Sequence, residues 1–140
     1  MELLEMESIV LEKPELKRYP LSKQQERMWL LEKLSPNQSL YHNPSIISLE
    51  GKINLEEFEN ACSKLILKHE QLRTVICEDE NGLYQQILNP DRFLPLIKMK
   101  IADQQQADNE IQKILKKAFN FNEGPLHQFY WINIRDDFGI

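Results

Sequence analysis

The stretch Lys68-His69-Glu70-Gln71-Leu72-Arg73-Thr74 joins two different periodicities. Before it, Leu55, Phe58, Cys62, Leu65 and Ile66 recur at the spacing of one helix face. After it, Leu72 to Glu78 alternates and is rich in β-branched residues, which reads as a strand. The stretch is therefore a helix C-terminus entering a strand. Lys68 and His69 suit the negative end of the helix dipole. Glu70 and Arg73 are expected to form a partly buried ion pair. The helix opens at Asn54-x-x-Glu57, a capping pattern that satisfies backbone N–H groups left over at a helix start.

Working toward the C-terminus, Asp79-Glu80-Asn81-Gly82 is a turn and Leu83 to Leu88 the returning strand, a hairpin with a longer loop. Asn89-Pro90-Asp91 breaks it. Leu96 to Ile101 alternates, with Ile97, Met99 and Ile101 opposite Lys98 and Lys100. A third helix opens at Asp103 and presents Ala107, Ile111, Ile114, Leu115 and Ala118. After a turn at Asn122-Glu123-Gly124-Pro125, Gln128 to Ile134 is apolar on both faces, as in a strand inside a sheet covered on both sides. Asp136-Asp137-Phe138-Gly139 reads as a turn toward a further strand.

Working toward the N-terminus, Ser45 to Leu49 reads as a short strand closed by Gly51. The first helix runs from Lys23 to Leu34, with Ser22 as its cap and Met28, Leu31 and Leu34 on its buried face. Pro14 and Pro20 bracket an extended linker, because proline disfavours helix in the residue before it. Met1 to Lys13 is acidic, with interspersed apolar residues.

The 140 residues suffice for one domain or one lobe of a larger one, with 41% apolar and 28% charged residues. Net charge is −5 and the seventeen basic residues are scattered; Lys116-Lys117 reads as a solvated helix face. A nucleic-acid footprint needs a basic stripe, so that class is set aside. Cys62 and Cys77 lack metal-ligand spacing, and Cys62 reads as a buried free thiol. His42, His69 and His127 form no zinc array, and no glycine-rich phosphate loop or nucleophile elbow is present. Without a membrane-length apolar run or a leader pattern, a cytoplasmic location is expected.

Several stretches together carry a resemblance. Ser22, Gln25, Arg27, Met28, Trp29 and Leu31 match Ser-x-Ala-Gln-x-Arg-Met-Trp-x-Leu, with Gln24 in place of alanine. His69, Glu70, Leu72, Arg73 and Thr74 match Arg-His-Glu-x-Leu-Arg-Thr-x-Phe, with Lys68 and Ile76 as departures. Tyr41-His42-Asn43-Pro44 with Leu49-Glu50-Gly51, and then Phe119 to Leu126, supply Tyr-Asn-x-Pro, Leu-x-Gly and Phe-Asp-Leu-x-x-Gly-Pro-Leu landmarks. Asn120 replaces the usual aspartate, and Gln128 stands where arginine is common. In this order the motifs resemble those that open the condensation domains of nonribosomal peptide synthetases, over roughly Tyr19 to the C-terminus.

The resemblance implies an α+β fold, helices packed on a mixed β-sheet, as one lobe of a chloramphenicol-acetyltransferase-like two-lobe fold. It implies an N-terminal segment and linker over 1–18 and the N-terminal lobe of a condensation domain over 19–140, ending before the family's catalytic His-His-x-x-x-Asp-Gly motif. The complete domain would be an acyltransferase-like enzyme of secondary-metabolite and antibiotic biosynthesis. It would join donor and acceptor groups, carried on phosphopantetheine arms of carrier proteins, by an amide bond. Ser22, Gln25, Arg27, Trp29, His69, Glu70, Arg73 and Thr74 then read as structural support. No catalytic residue, bound cofactor or metal is expected in this chain, which alone would be inactive. Expected partners are carrier-protein domains and the missing C-terminal lobe, with neither nucleic acid nor membrane. The alternative is a non-catalytic docking module that binds a carrier protein or completes a split domain. The strand Gln128 to Ile134 is expected to leave Phe129 and Trp131 exposed at an edge through which the chain self-associates.

Overall fold

The computed structural model describes residues 17–36, 41–135 and 138–140. Met1 to Lys13, positions 14–16 of the proline-bracketed linker and the Asp136-Asp137 turn fall outside them. The order is β1 (Arg18–Pro20), α1 (Lys23–Leu34), β2 (Leu49–Glu50), α2 (Leu55–Lys68), β3 (Thr74–Asp79), β4 (Gly82–Ile87), β5 (Ile97–Lys100), α3 (Gln104–Lys116), β6 (Tyr130–Arg135) and β7 (Phe138–Gly139). The fold is α+β as expected. The strands divide between two sheets, an antiparallel one ordered β1-β4-β3 and a mixed one ordered β2-β7-β6-β5.

Helix starts follow their caps. Ser22 and Gln25 form a reciprocal capping box, Asn54 accepts from Glu56 and Glu57, and Asp103 accepts from Gln106. The turn between β3 and β4 is tighter than expected, because Asp79 pairs with Gly82 and leaves only Glu80 and Asn81 between them. Gly82 takes a φ of 113°, which side chains rarely adopt. Part of the expected linker is β1, which pairs along β4. Pro20 is tolerated there because β1 is an edge strand and needs no further donor. The buried face expected for α1 is only partly so: Met28 and Leu31 are half-buried, but Leu34 is 69% exposed.

Helix α2 seats both sheets. Ile66 packs with Val75, Leu88 and Phe93, while Cys62, one turn earlier, packs with Leu96 and Trp131. Phe129 touches both clusters. The two residues are four apart and so share one helix face. Phe58 and Leu65, on the expected inward stripe, remain exposed.

Strand β6 lies inside its sheet, between β5 and β7. This corrects the expected exposed edge. Trp131 is 6% exposed, with Gly139 of β7 laid against its indole ring and Phe58 beside it. The strand expected over Ser45 to Leu49 is reduced to Leu49 and Glu50, because β7 supplies partners only for these two residues.

The loop 119–125 closes the outer edge of β3: Ile76 N–H donates to Phe121 O at 2.8 Å. Gly124 makes this approach possible. Its φ is +64°, and an added Cβ would lie 2.8 Å from Val75 Cγ1 in the core. Gly124→Ala is expected to destabilise the chain by about 1–3 kcal/mol, through overpacking and left-handed strain. A urea unfolding midpoint equal to wild type would show that the loop yields without loss.

Candidate functional site: two corners that carry the motifs

The first motif is a corner between α1 and the hairpin. Ser22 N–H donates to Gln25 Oε1 at 2.8 Å, and Gln25 N–H to Ser22 Oγ at 3.3 Å. Gln25 Nε2 then donates to Gln85 Oε1 on β4, and Gln85 Nε2 to Pro20 O on β1. The Gln25 amide thus caps the helix and joins it to β4, and the Gln85 amide carries the link on to β1. At the other end Lys33 Nζ stands 4.8 Å from the Trp29 ring centre and 3.6 Å from Glu78. Arg27 is exposed, with no ion-pair partner among the described residues.

The second motif is the corner between α2 and β3. Arg73 does not pair with Glu70. Its Nε donates to Ile66 O at 3.1 Å, its Nη1 to Leu88 O at 2.7 Å and its Nη2 to Leu67 O at 3.5 Å. The physical reason is the helix end: the last carbonyls of α2 lack intrahelical donors, and a guanidinium fork supplies several at once. Leu88 N–H returns a bond to Arg73 O at 2.8 Å. Glu70 instead faces Lys17 at 3.7 Å, both side chains largely exposed. Thr74 Oγ1 donates to Glu70 O at 2.9 Å, and His69 is the exposed C-cap of α2.

The remaining landmarks are likewise backbone devices. Asn120 Oδ1 accepts from Asn122 and Glu123 N–H at 3.0 and 3.3 Å. The amide oxygen thus does the accepting that an aspartate would do, which sequence reasoning missed by attending to charge. Gln128 Nε2 donates to Leu94 O at 3.4 Å. His42 Nδ1–H donates to Leu115 O at the end of α3 and its ring lies against Phe119. His127 lies between Phe93 and Phe129.

These groups do not converge. His42 and His127 have separate aromatic neighbours, and Cys62 and Cys77 are both free thiols. Burial pushes the Cys62 thiol up from its ordinary value. Among the described residues, no group of His, Cys, Asp and Glu side chains is arranged to hold a metal ion. No helix there is long and apolar enough to cross a membrane. The eight motif residues stand at two corners. Ser22, Gln25, Arg73 and Thr74 bond backbone groups there, whereas Arg27 and His69 are exposed and Glu70 faces Lys17.

The two-sheet α+β fold has counterparts among known proteins. Residues 15–138 match the family model described as "Condensation domain". The chain is 33% identical over 119 residues to a linear gramicidin synthase protein of Brevibacillus parabrevis, covering 81% of this chain and 2% of that protein. It is 32% identical over 122 residues to malpibaldin synthetase of Mortierella alpina, covering 84% of this chain and 2% of that one. Its fold is similar to the crystal structure of the starter condensation domain of rhizomide synthetase RzmA, with a TM-score of 0.72 and 24% identity over 88% of this chain and 30% of that one. It is similar also to the condensation domain of the monacolin K polyketide synthase MokA, with a TM-score of 0.75 and 19% identity over 89% and 28%. The chain belongs to the condensation domain family found in nonribosomal peptide synthetases. It spans less than a third of the solved domains and a few hundredths of the synthetases that it matches.

Two outcomes are expected. Arg73→Ala removes charged donors from three carbonyls and is expected to cost about 2–4 kcal/mol, and Arg73→Lys most of that, since an ammonium lacks the fork. Glu70→Ala is expected to cost less than about 0.5 kcal/mol, because the Lys17 pair is exposed. Equal losses at 70 and 73 in denaturant titrations would restore the ion-pair reading.

The second concerns pH. Burial pushes the His127 imidazole below its ordinary 6.5, against an opposing backbone hydrogen bond with Leu72. As pH falls through 6.5 the unfolded chain takes up this proton before the folded one does. Stability from this site is therefore whole above 6.5 and declines below it until the depressed folded value is reached. The difference in urea midpoint between wild type and His127→Phe, followed downward from pH 8, should change below 6.5. A constant difference would show no titration there.

Proposed function

We propose that the chain is the N-terminal part of a condensation domain whose complete form joins carrier-bound donor and acceptor acyl or aminoacyl groups through an amide bond. The observation that carries this reading is the family match over residues 15–138, with the motifs in order along it. In this reading 1–18 is a leading segment and 19–140 the lobe. Ser22, Gln25, Arg27, Trp29, His69, Glu70, Arg73 and Thr74 serve the scaffold. The reacting histidine and the second wall of the substrate passage come from the rest of the domain.

The division of labour follows from the chemistry. An amine attacking a thioester needs a base or hydrogen-bond acceptor near neutrality, placed within reach of the nitrogen. An imidazole suits this, since its charge changes near pH 6.5. His127 is unsuited, being held among aromatic rings and drawn toward its neutral form. The lobe supplies rigid strands on which such a group can be held. The partners are carrier proteins bearing phosphopantetheine arms, in the cytoplasm.

The test is a graft. Residues 19–140 replace the aligned portion of the matching condensation domain in the linear gramicidin synthase protein, and two loaded carrier proteins are offered. The chimera is expected to form the amide product, and the 140-residue chain alone none. A chimera with the parent's melting profile but no product would overturn the reading, as would turnover by the purified chain alone.

A further inference from the structure

Helix α1 is apolar on two sides. Met28, Trp29 and Leu31 are half-buried, whereas Leu30 and Leu34 are 52% and 69% exposed. At about 100° per residue, Arg27, Leu30 and Leu34 fall within an arc of about 60°, a single stripe turned to solvent. Gln25, which bonds β4, lies on the opposite side of the helix. Arg27 has no ion-pair partner among the described residues, while Lys23, at the start of the same stripe, is held by Glu26. An exposed apolar stripe that carries an unpaired cation marks an interaction face.

The complement of this face is in the chain itself. Met1 to Lys13 carries Glu2, Glu5, Glu7 and Glu12 against Lys13 alone. Read at the same helical step, Leu3, Leu4, Val10 and Leu11 share an arc of about 120° with Glu7 in its middle. Glu2, Glu5 and Glu12 fall outside that arc, with Ile9. One acid among apolar residues thus answers one base among apolar residues.

We propose that residues 1–13 lie along the outer stripe of α1, with their apolar arc on Leu30 and Leu34 and Glu7 against Arg27. Lengths and attachment agree. The 12 residues of α1 span about 18 Å, and thirteen residues at the same rise span about 20 Å. Positions 14–16 lead into β1, after which only Leu21 and Ser22 precede α1. Lys17 is six residues from Lys23, so the segment is tethered within about 20 Å of the helix start. A tether this short gives an effective concentration on the order of millimolar. Covering two leucines and forming one surface ion pair, each a small gain alone, then suffices. The segment closes this face of α1 to other partners while it is in place.

The experiment uses the whole chain. Arg27→Lys keeps the charge and offers an amine that a carbodiimide condenses with a touching carboxylate. A cross-linked peptide joining positions 7 and 27 is expected, at a yield constant across a dilution series and lost when Glu7→Gln is added. Amide hydrogen exchange reads the same contact without a reagent. Protection of residues 2–12 is expected to fall about threefold in Glu7→Arg or Arg27→Glu and to return when both are present. Leu34→Ser, at an exposed position, should lower it likewise. Cross-linking from 27 to Glu2, Glu5 or Glu12 instead, no protection of 2–12 in the wild type, or no recovery in the double variant would overturn the proposal. So would a yield that falls on dilution, since the acid would then come from a second copy. The graft omits residues 1–13 and this test involves no carrier protein, so the two fail separately.

Discussion

A helix that ends inside a protein leaves carbonyls without intrahelical donors, and at the end of α2 two of these lie within reach of a third, from Leu88 at the end of β4. One guanidinium serves all three. Burying a carbonyl without a donor is costly, so the position of α2 relative to the hairpin is set by this fork. Everything else that α2 does depends on that position. Ile66 reaches the antiparallel sheet and Cys62 the mixed one from a helix whose end Arg73 ties to β4.

The motifs that mark the family are therefore instructions for joining elements. Ser22 and Gln25 start a helix and tie it to β4; Asn120 folds a loop back so that Gly124 can pass over Val75. Each of these bonds joins one backbone segment to another. This accounts for a chain that carries several family landmarks while His42 and His127 stand apart, each among its own aromatic rings.

What is legible in the sequence is local. The starts of all three helices follow from Ser22, Asn54 and Asp103, whose side chains bond within a few residues. Strand positions follow from alternation. Pairing between distant segments does not show, because alternation tells which residues face inward but not which strand lies alongside; hence the expectation of one sheet where two exist. Proximity along the chain assigns Arg73 to Glu70, yet Glu70 lies beside Lys17 and the helix end outcompetes a carboxylate. Trp131 reads as an edge residue because nothing in its own strand reveals that Gly139 will cover it.

The edges of the two sheets differ in a way that bears on assembly. β1 ends its sheet with a proline, β3 is covered by the backbone of Phe121, and β5 shows solvent the exposed side chains of Lys98 and Lys100. Proline, cover and lysine are the usual guards against unwanted strand pairing. The two sheets have four outer edges, and these three are guarded by unlike devices, so one substitution can open one edge while the other two stay shut.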